Sequence, residues 1–288
     1  MTPSRIGTLA VVGTGLIGTS IALAARSAGV HVVLEDRDER ALAAAVARGA
    51  GTPLAGGGSP ADLAVVAVPP RAVPEVLRDA RERRLAAFYT DVASTKGEIV
   101  RRGGGTPDFV PGHPMAGAER SGPDAADEAL FRGAAWVLCP GPRTAAAALD
   151  TVRELVALCD ASPLEMDADE HDRAVALVSH VPHVVASALA AALRGARPEV
   201  LALTGRGGLD TTRIAAGDPE LWTQILRDNA RHVARELVDV ATNLSWVAIA
   251  LAEVAEMGDR RALDQVTELL VRGCQGRAEL LDALRARR

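Results

Sequence analysis

Through its first half the chain alternates short, almost uniformly apolar runs with stretches whose apolar residues recur at helical spacing. The runs are IGTLAVVG (6–13), HVVLED (31–36), DLAVVAVPP (62–70) and AAFYTDV (86–92), followed by FVPGHP (109–114) and AAWVLCP (134–140). Between them lie TSIALAARSAG (19–29), ERALAAAVARGA (39–50) and PEVLRDARERR (74–84), with RTAAAALDTVRELVALCDA (143–161) after them. Strands apolar on both faces that alternate with helices predict a parallel sheet covered on both sides, an α/β fold. SPLEMDA (162–168) is expected to close that sheet.

From about Asp167 the strand pattern ends. Residues 169–195, 220–254 and 259–284 carry apolar positions at helical spacing. Within the second of these, WVAIALAEV is apolar almost all round, as a helix buried in a larger assembly would be. The pattern therefore predicts a Rossmann-type domain over 1–166 and an all-α domain over 167–288. The long helices of the latter are expected to pack against a second copy as a homodimer, with a tightly wrapped monomer as the alternative.

Composition narrows the class. The 288 residues are 48% hydrophobic and 24% charged, ordinary globular proportions. A formal charge of −5 gives no reason to expect nucleic acid or an anionic membrane surface. Cys139, Cys159 and Cys274 are scattered without a CxxC, as expected of free thiols in a reducing compartment, and no leader segment is apparent ahead of the first strand. A cytoplasmic protein is expected. No HExxH or acid cluster points to a metal.

The first strand runs into VVGTGLIG, with Gly13, Gly15 and Gly18 at GxGxxG spacing. Gly13 suits the tight turn, Gly15 admits a pyrophosphate against the backbone, and Gly18 lets helix approach strand. The helix opening at Leu16 and Ile17 would point its positive end at the phosphates. Asp36, or alternatively Glu35, ends the second strand where a ribose would lie, which favours NAD. Arg37 and Arg40 keep NADP as the alternative. Val68 and Pro69, following the third long apolar run, are also expected to border the cofactor.

Four more segments carry chemistry: DVASTKG with Asp91, Ser94 and Lys96; PGHPMAG with His113; VSHVPH with Ser179, His180 and His183; and GGLDTTRIAAGDPELW with Asp210, Arg213 and Trp222. His113, between glycine and proline, is no helix-face core filler, and imidazole titrates in the range that suits a general base. Ser179 and His183 stand four apart on one helix face, bent at Pro182; a backbone-bonded buried histidine is the alternative for His183. Arg213 is expected to anchor an anion by its bidentate fork, with Asp210 orienting it in a polar loop. Trp222 would either pack on the substrate or anchor the next helix.

Together these five segments, in this order and spacing, resemble the prephenate dehydrogenase family of tyrosine biosynthesis over nearly the whole chain. The resemblance implies a nucleotide-binding domain followed by a helical dimerisation domain, and oxidative decarboxylation of prephenate by NAD. His113 would take the ring hydroxyl proton with Ser94 fixing the pair. Arg213 would bind a substrate carboxylate, Ser179 and His183 the side chain, and Glu119 is expected among the substrate-binding residues. Arogenate and an amino-substituted prephenate are the alternative substrates. A β-hydroxyacid dehydrogenase would need a catalytic lysine on a helix, whereas the sole lysine, Lys96, follows a strand. A non-catalytic nucleotide-binding protein is the rival of another class.

Overall fold

The computed structural model describes residues 5–56, 58–103, 105–117, 120–257, 261 and 263–285; Glu119 lies outside them. The chain forms two compact units, Met1–Ala230 and Arg231–Arg288.

The first six strands of the first unit are β1 (Thr8–Val12), β2 (His31–Glu35), β3 (Thr52–Pro53), β4 (Ala61–Val66), β5 (Ala86–Asp91) and β6 (Phe109–Val110). They make one sheet in the order β3-β2-β1-β4-β5-β6, parallel throughout. This is the doubly wound dinucleotide-binding order, whose ligands sit beyond the carboxyl ends of the strands. Helices α1 (Leu16–Ser27), α2 (Glu39–Ala47), α3 (Val73–Glu82) and α4 (Gly97–Gly103) connect the strands. The sequence explains why both faces are covered. Leu9, Val11, Leu63 and Val65 enter one buried cluster, while Ala10, Val12, Ala64 and Val66 enter another. Side chains alternate across a strand, so two faces need two apolar sets.

Two strand expectations are corrected. FVPGHP is not one strand: Pro111, which has no N–H to give a ladder, separates β6 from β7 (Gly112–Pro114). SPLEMDA does not close the main sheet. Its strand β9 (Ser162–Glu165) pairs with β8 (Ala135–Leu138), and β8 with β7, in a separate three-stranded sheet. Helix α5 (Ala146–Leu158) joins β8 to β9, and its Ala148, Val152, Leu155 and Val156 pack into the first cluster.

The helical part of this unit is more segmented than the apolar spacing predicts. Helix α6 (Ala168–Val175) is capped by the Asp167 carboxylate, which accepts from the Asp169 and Glu170 amides. It runs through a π turn at 176–180 into α7 (Val181–Ala192). Pro182 cannot donate to the preceding turn, which explains a π bulge there. The polar loop expected around Asp210 is instead helical: α8 (Pro198–Leu201), α9 (Arg206–Thr212) and a 3₁₀ turn over 213–216 lead to α10 (Pro219–Asp228). The expected 220–254 helix is interrupted at Asn229, whose side-chain amide donates to the Asp172 carbonyl.

The second unit consists of α11 (Ala230–Met257) and α12 (Leu263–Arg285). Their apolar residues are largely exposed: Val238, Leu244, Trp246, Ile249 and Leu251 on α11, and Leu270, Val271, Leu280 and Leu284 on α12. By length and composition alone, Ala168–Ala192 and Ala230–Glu256 would suffice to cross a membrane.

Candidate active site

The nucleotide loop leaves β1 at Gly13, whose φ of +101° is the left-handed range that a side chain avoids. A Cβ there would lie 2.4 Å from the Ala67 carbonyl oxygen, and one on Gly18 would lie 1.9 Å from that of Gly13. Both glycines are therefore forced by packing. A Cβ on Gly15 would meet nothing within 4 Å. Gly15 also caps α1 without a side chain, so its backbone faces open space at a helix N-terminus, a cradle that fits a pyrophosphate. Val68 borders the turn, its Cγ1 3.2 Å from where a Cβ on Gly13 would lie, and Pro69 follows it.

Asp36 stands just past β2 and accepts from the Thr14 amide at 2.6 Å and its hydroxyl at 2.9 Å. Its other oxygen accepts from the Asp38 amide at 2.8 Å. The carboxylate thus ties the end of β2 to the glycine loop, where its remaining lone pairs suit ribose hydroxyls. Glu35 is engaged by Arg83 at 3.0 Å, and Arg37 is exposed beside the loop.

At the carboxyl end of β5 lies a second layer of polar groups, now buried. Asp91 and Lys96 form a fully buried ion pair. The Asp91 carboxylate also accepts from the amides of Ala93 (2.9 Å) and Gly112 (3.3 Å), joining β5 to β7. Ser94 is half-buried between them.

His113 on β7 is buried, and its Nδ1 lies 2.9 Å from Nε2 of His171 on α6. His171 Nδ1 lies 2.9 Å from the Asp172 carboxylate, which further accepts from the amides of Lys96 (2.8 Å) and Gly97 (2.7 Å). Burial would raise the Asp172 pKa, but hydrogen bonds from His171, Lys96 and Gly97 overcome it and the net shift is downward. Burial, with His171, Lys96 and His180 nearby, holds His113 well below the ordinary histidine value. It is a neutral imidazole at neutral pH. Among the described residues its side-chain hydrogen bond is to His171, whereas Ser94 was expected to fix it.

The network continues to the substrate-side residues. Asn229 Nδ2 lies 3.1 Å from His180 Nδ1, and the His180 ring meets Trp222 edge-on at 6.0 Å. Trp222 stacks on His183, centroids 3.5 Å apart and planes within 10°. Both line a cavity of about 1030 Å³ with Arg213, Gly117, Arg48 and Arg120. His183 is buried, and its Nδ1 finds no hydrogen-bond partner among the described residues. Gly217 makes this stack possible, since a Cβ there would come within 2.5 Å of the Trp222 ring nitrogen.

The structure thus gathers Arg213, His183 and Trp222 at one cavity. His113 does not line that cavity; a chain of contacts through His171, Asp172, Asn229 and His180 connects it to Trp222 on the cavity wall. Two other expected residues do not join them. Asp210 is exposed on α9 and does not line the cavity, because the supposed loop is helix and carries it away. Ser179 is half-buried in the π turn and is not on the cavity wall, because the bulge breaks its four-residue alignment with His183.

His171, Asp172 and Asn229 escaped the sequence reading. One signal was available: His171 stands four residues before the apolar Val175, so the two share one helix face.

Two family models match the chain: Prephenate dehydrogenase, nucleotide-binding domain, over residues 21–164, and Prephenate dehydrogenase, dimerization domain, over 167–268. "Probable prephenate dehydrogenase NovF" of Streptomyces niveus is 40% identical over 277 residues, 93% of this chain and 76% of that protein. The cyclohexadienyl dehydrogenase of Zymomonas mobilis is 30% identical over 258 residues, covering 85% and 88%. The crystal structure of A. aeolicus prephenate dehydrogenase in complex with hydroxyphenyl propionate and NAD+ superimposes with a TM-score of 0.81 at 26% identity. That match covers 96% of this chain and 99% of the other. With the glycine loop, the buried histidine and the arginine-lined cavity all present in one polypeptide, the chain belongs to the prephenate dehydrogenase family.

Proposed function

We propose that this enzyme oxidatively decarboxylates prephenate with NAD, yielding 4-hydroxyphenylpyruvate, carbon dioxide and reduced cofactor, as a step of tyrosine biosynthesis. The observation that carries the residue assignment is His113, buried, neutral and hydrogen-bonded through Nδ1, which leaves Nε2 for the substrate. Gly13, Gly15, Leu16, Ile17 and Gly18 would hold the pyrophosphate, Asp36 the ribose, and Val68, Pro69 and Ser94 the nicotinamide side. When bound, NAD supplies the hydride acceptor. His113 takes the proton of the ring hydroxyl as the carbinol carbon becomes a carbonyl, and the ring carboxylate departs as carbon dioxide while the ring aromatises. A positioned base of this kind accelerates by about 10²- to 10⁴-fold.

Arg213 binds a substrate carboxylate by a charge-assisted fork, and His183, on the same cavity wall, takes the side chain. Trp222 holds the His183 ring by stacking. Arogenate is the second reading, favoured by Asp124 on the same cavity wall, where a carboxylate suits an ammonium. Purified protein with NAD and each substrate, followed at the reduced-nicotinamide absorbance, tests both. Turnover of prephenate supports the first reading, preference for arogenate selects the second, and no reduced cofactor from either refutes the assignment.

The same proposal takes residues 167–288 as a dimerisation domain, with the division at 166 and 167 supported by the edges of the two matched family segments. A second copy covering the exposed apolar faces of α11 and α12 gives a homodimer without a membrane. Buried, unpaired Cys139 and Cys159, with thiols pushed up to about 12 by burial, support a reducing cytoplasm.

A further inference from the structure

We propose that His171, held by Asp172, is a positioning residue that fixes the tautomer of His113 and so decides which of its nitrogens can act as the base. The inference rests on His113 being that base. Its geometry is an unbroken line of hydrogen bonds: the Asp172 carboxylate to His171 Nδ1 at 2.9 Å, and His171 Nε2 to His113 Nδ1 at 2.9 Å. Both imidazoles are buried and meet edge-on, centroids 5.1 Å apart with planes at 74°.

Hydrogen-bond polarity follows from the carboxylate end. An ionised Asp172 can only accept, as it also does from the Lys96 and Gly97 amides. The His171 proton therefore lies on Nδ1, and its bare Nε2 must accept. His113 then donates from Nδ1, which leaves Nε2 as its lone pair. Were His171 protonated on both nitrogens, it would donate to His113, whose remaining proton would block Nε2. The base is competent only while the pair keeps the first polarity.

The surroundings reinforce this order. From β5 and the turn after it, the groups facing the pair are Asp91 and Lys96, which neutralise one another. From the π turn comes His180, hydrogen-bonded to Asn229. From α6 comes Asp172, the carboxylate in contact with His171. A proton arriving on His113 Nε2 creates an imidazolium that burial, His171 and Lys96 all disfavour. Its Nδ1–H bond to His171, itself anchored on Asp172, is the route by which a carboxylate opposes that cost. The proton leaves the substrate oxygen for Nε2, and the O–H electron pair stays on oxygen to form the carbonyl as the hydride departs.

Two variants and one spectroscopic signature test this. His171→Gln retains a carbonyl oxygen that can accept from His113 Nδ1, while His171→Leu removes the acceptor. Nitrogen-15 histidine spectra of the wild-type protein are expected to show His113 protonated on Nδ1 and bare at Nε2. His171→Leu should lower kcat by at least about tenfold with KM for NAD unchanged, alter the acid limb of the kcat/KM pH profile and mix the His113 tautomers. His171→Gln should recover much of the lost kcat. Wild-type His113 protonated on Nε2 would overturn the proposal, a result available even if His171→Leu does not fold. So would a His171→Gln protein no faster than His171→Leu, or both variants matching wild type while His113→Asn is inactive. An active His113→Asn would instead unseat the base itself, which separates the two failures.

Discussion

At the scale of single residues, burial determines the chemistry. Lys96, the only lysine in the chain, is fully buried against Asp91, and both charges are removed from water together. Lys96→Met would leave the Asp91 carboxylate uncompensated at a strand end that also organises Gly112. The expected loss is about 3–5 kcal/mol of stability, read by urea denaturation. Arg213 is different: it is exposed on the cavity wall, where its charge meets the space a substrate would fill. Arg213→Ala should raise KM for prephenate about 10- to 100-fold, the worth of one charge-assisted bond, in a protein that still folds. Steady-state kinetics alongside a thermal melt separates the two effects, and an unaltered KM would remove Arg213 from the substrate site.

At the scale of elements, the parts of the site differ in how visible they are in the letters. The glycine loop is legible because each glycine answers a local demand: a positive φ at Gly13, a close helix–strand approach at Gly18, and open space at Gly15. Gly18→Ala, with its Cβ 1.9 Å from the Gly13 carbonyl oxygen, should abolish NAD binding by fluorescence titration and lower the melting temperature. Wild-type affinity in that variant would mean that the loop is not the phosphate cradle. The core strands of the sheet are legible for the same reason, since their alternating residues feed two separate cores. Less local features are hidden. Nothing in the sequence separates SPLEMDA from the main sheet, because a short strand reads alike in either. The helical character around Asp210 is masked by its glycines and threonines, which disfavour helix. His171 and Asp172 look like part of a solvated, N-capped first turn, and only the arrival of β7 and the Lys96 amide makes them a buried dyad.

At the scale of the whole molecule, two properties follow. The exposed apolar residues of α11 and α12 predict a particle of twice the 29.9 kDa chain mass in light scattering. Ile249→Asp on α11 should shift that particle toward a monomer, and a monomeric wild-type protein would defeat the dimer. The buried histidines set the acid response. His113 is held well below the ordinary histidine value, and burial pushes His180 down to about 4. In the unfolded chain both bind protons near about pH 6.5. Below that pH the unfolded state therefore holds more protons than the native one, and stability falls as pH drops from about 6.5 toward 4. Denaturation midpoints across that window should decline, and a flat profile would mean that these imidazoles are not buried neutral. The same neutrality keeps the base available at neutral pH. The most direct test of the account is turnover by His113→Asn set beside its NAD affinity. A loss of about 10²- to 10⁴-fold in kcat is expected, with NAD bound as tightly as by the wild type. A variant that reduces NAD with prephenate at the wild-type rate would contradict it.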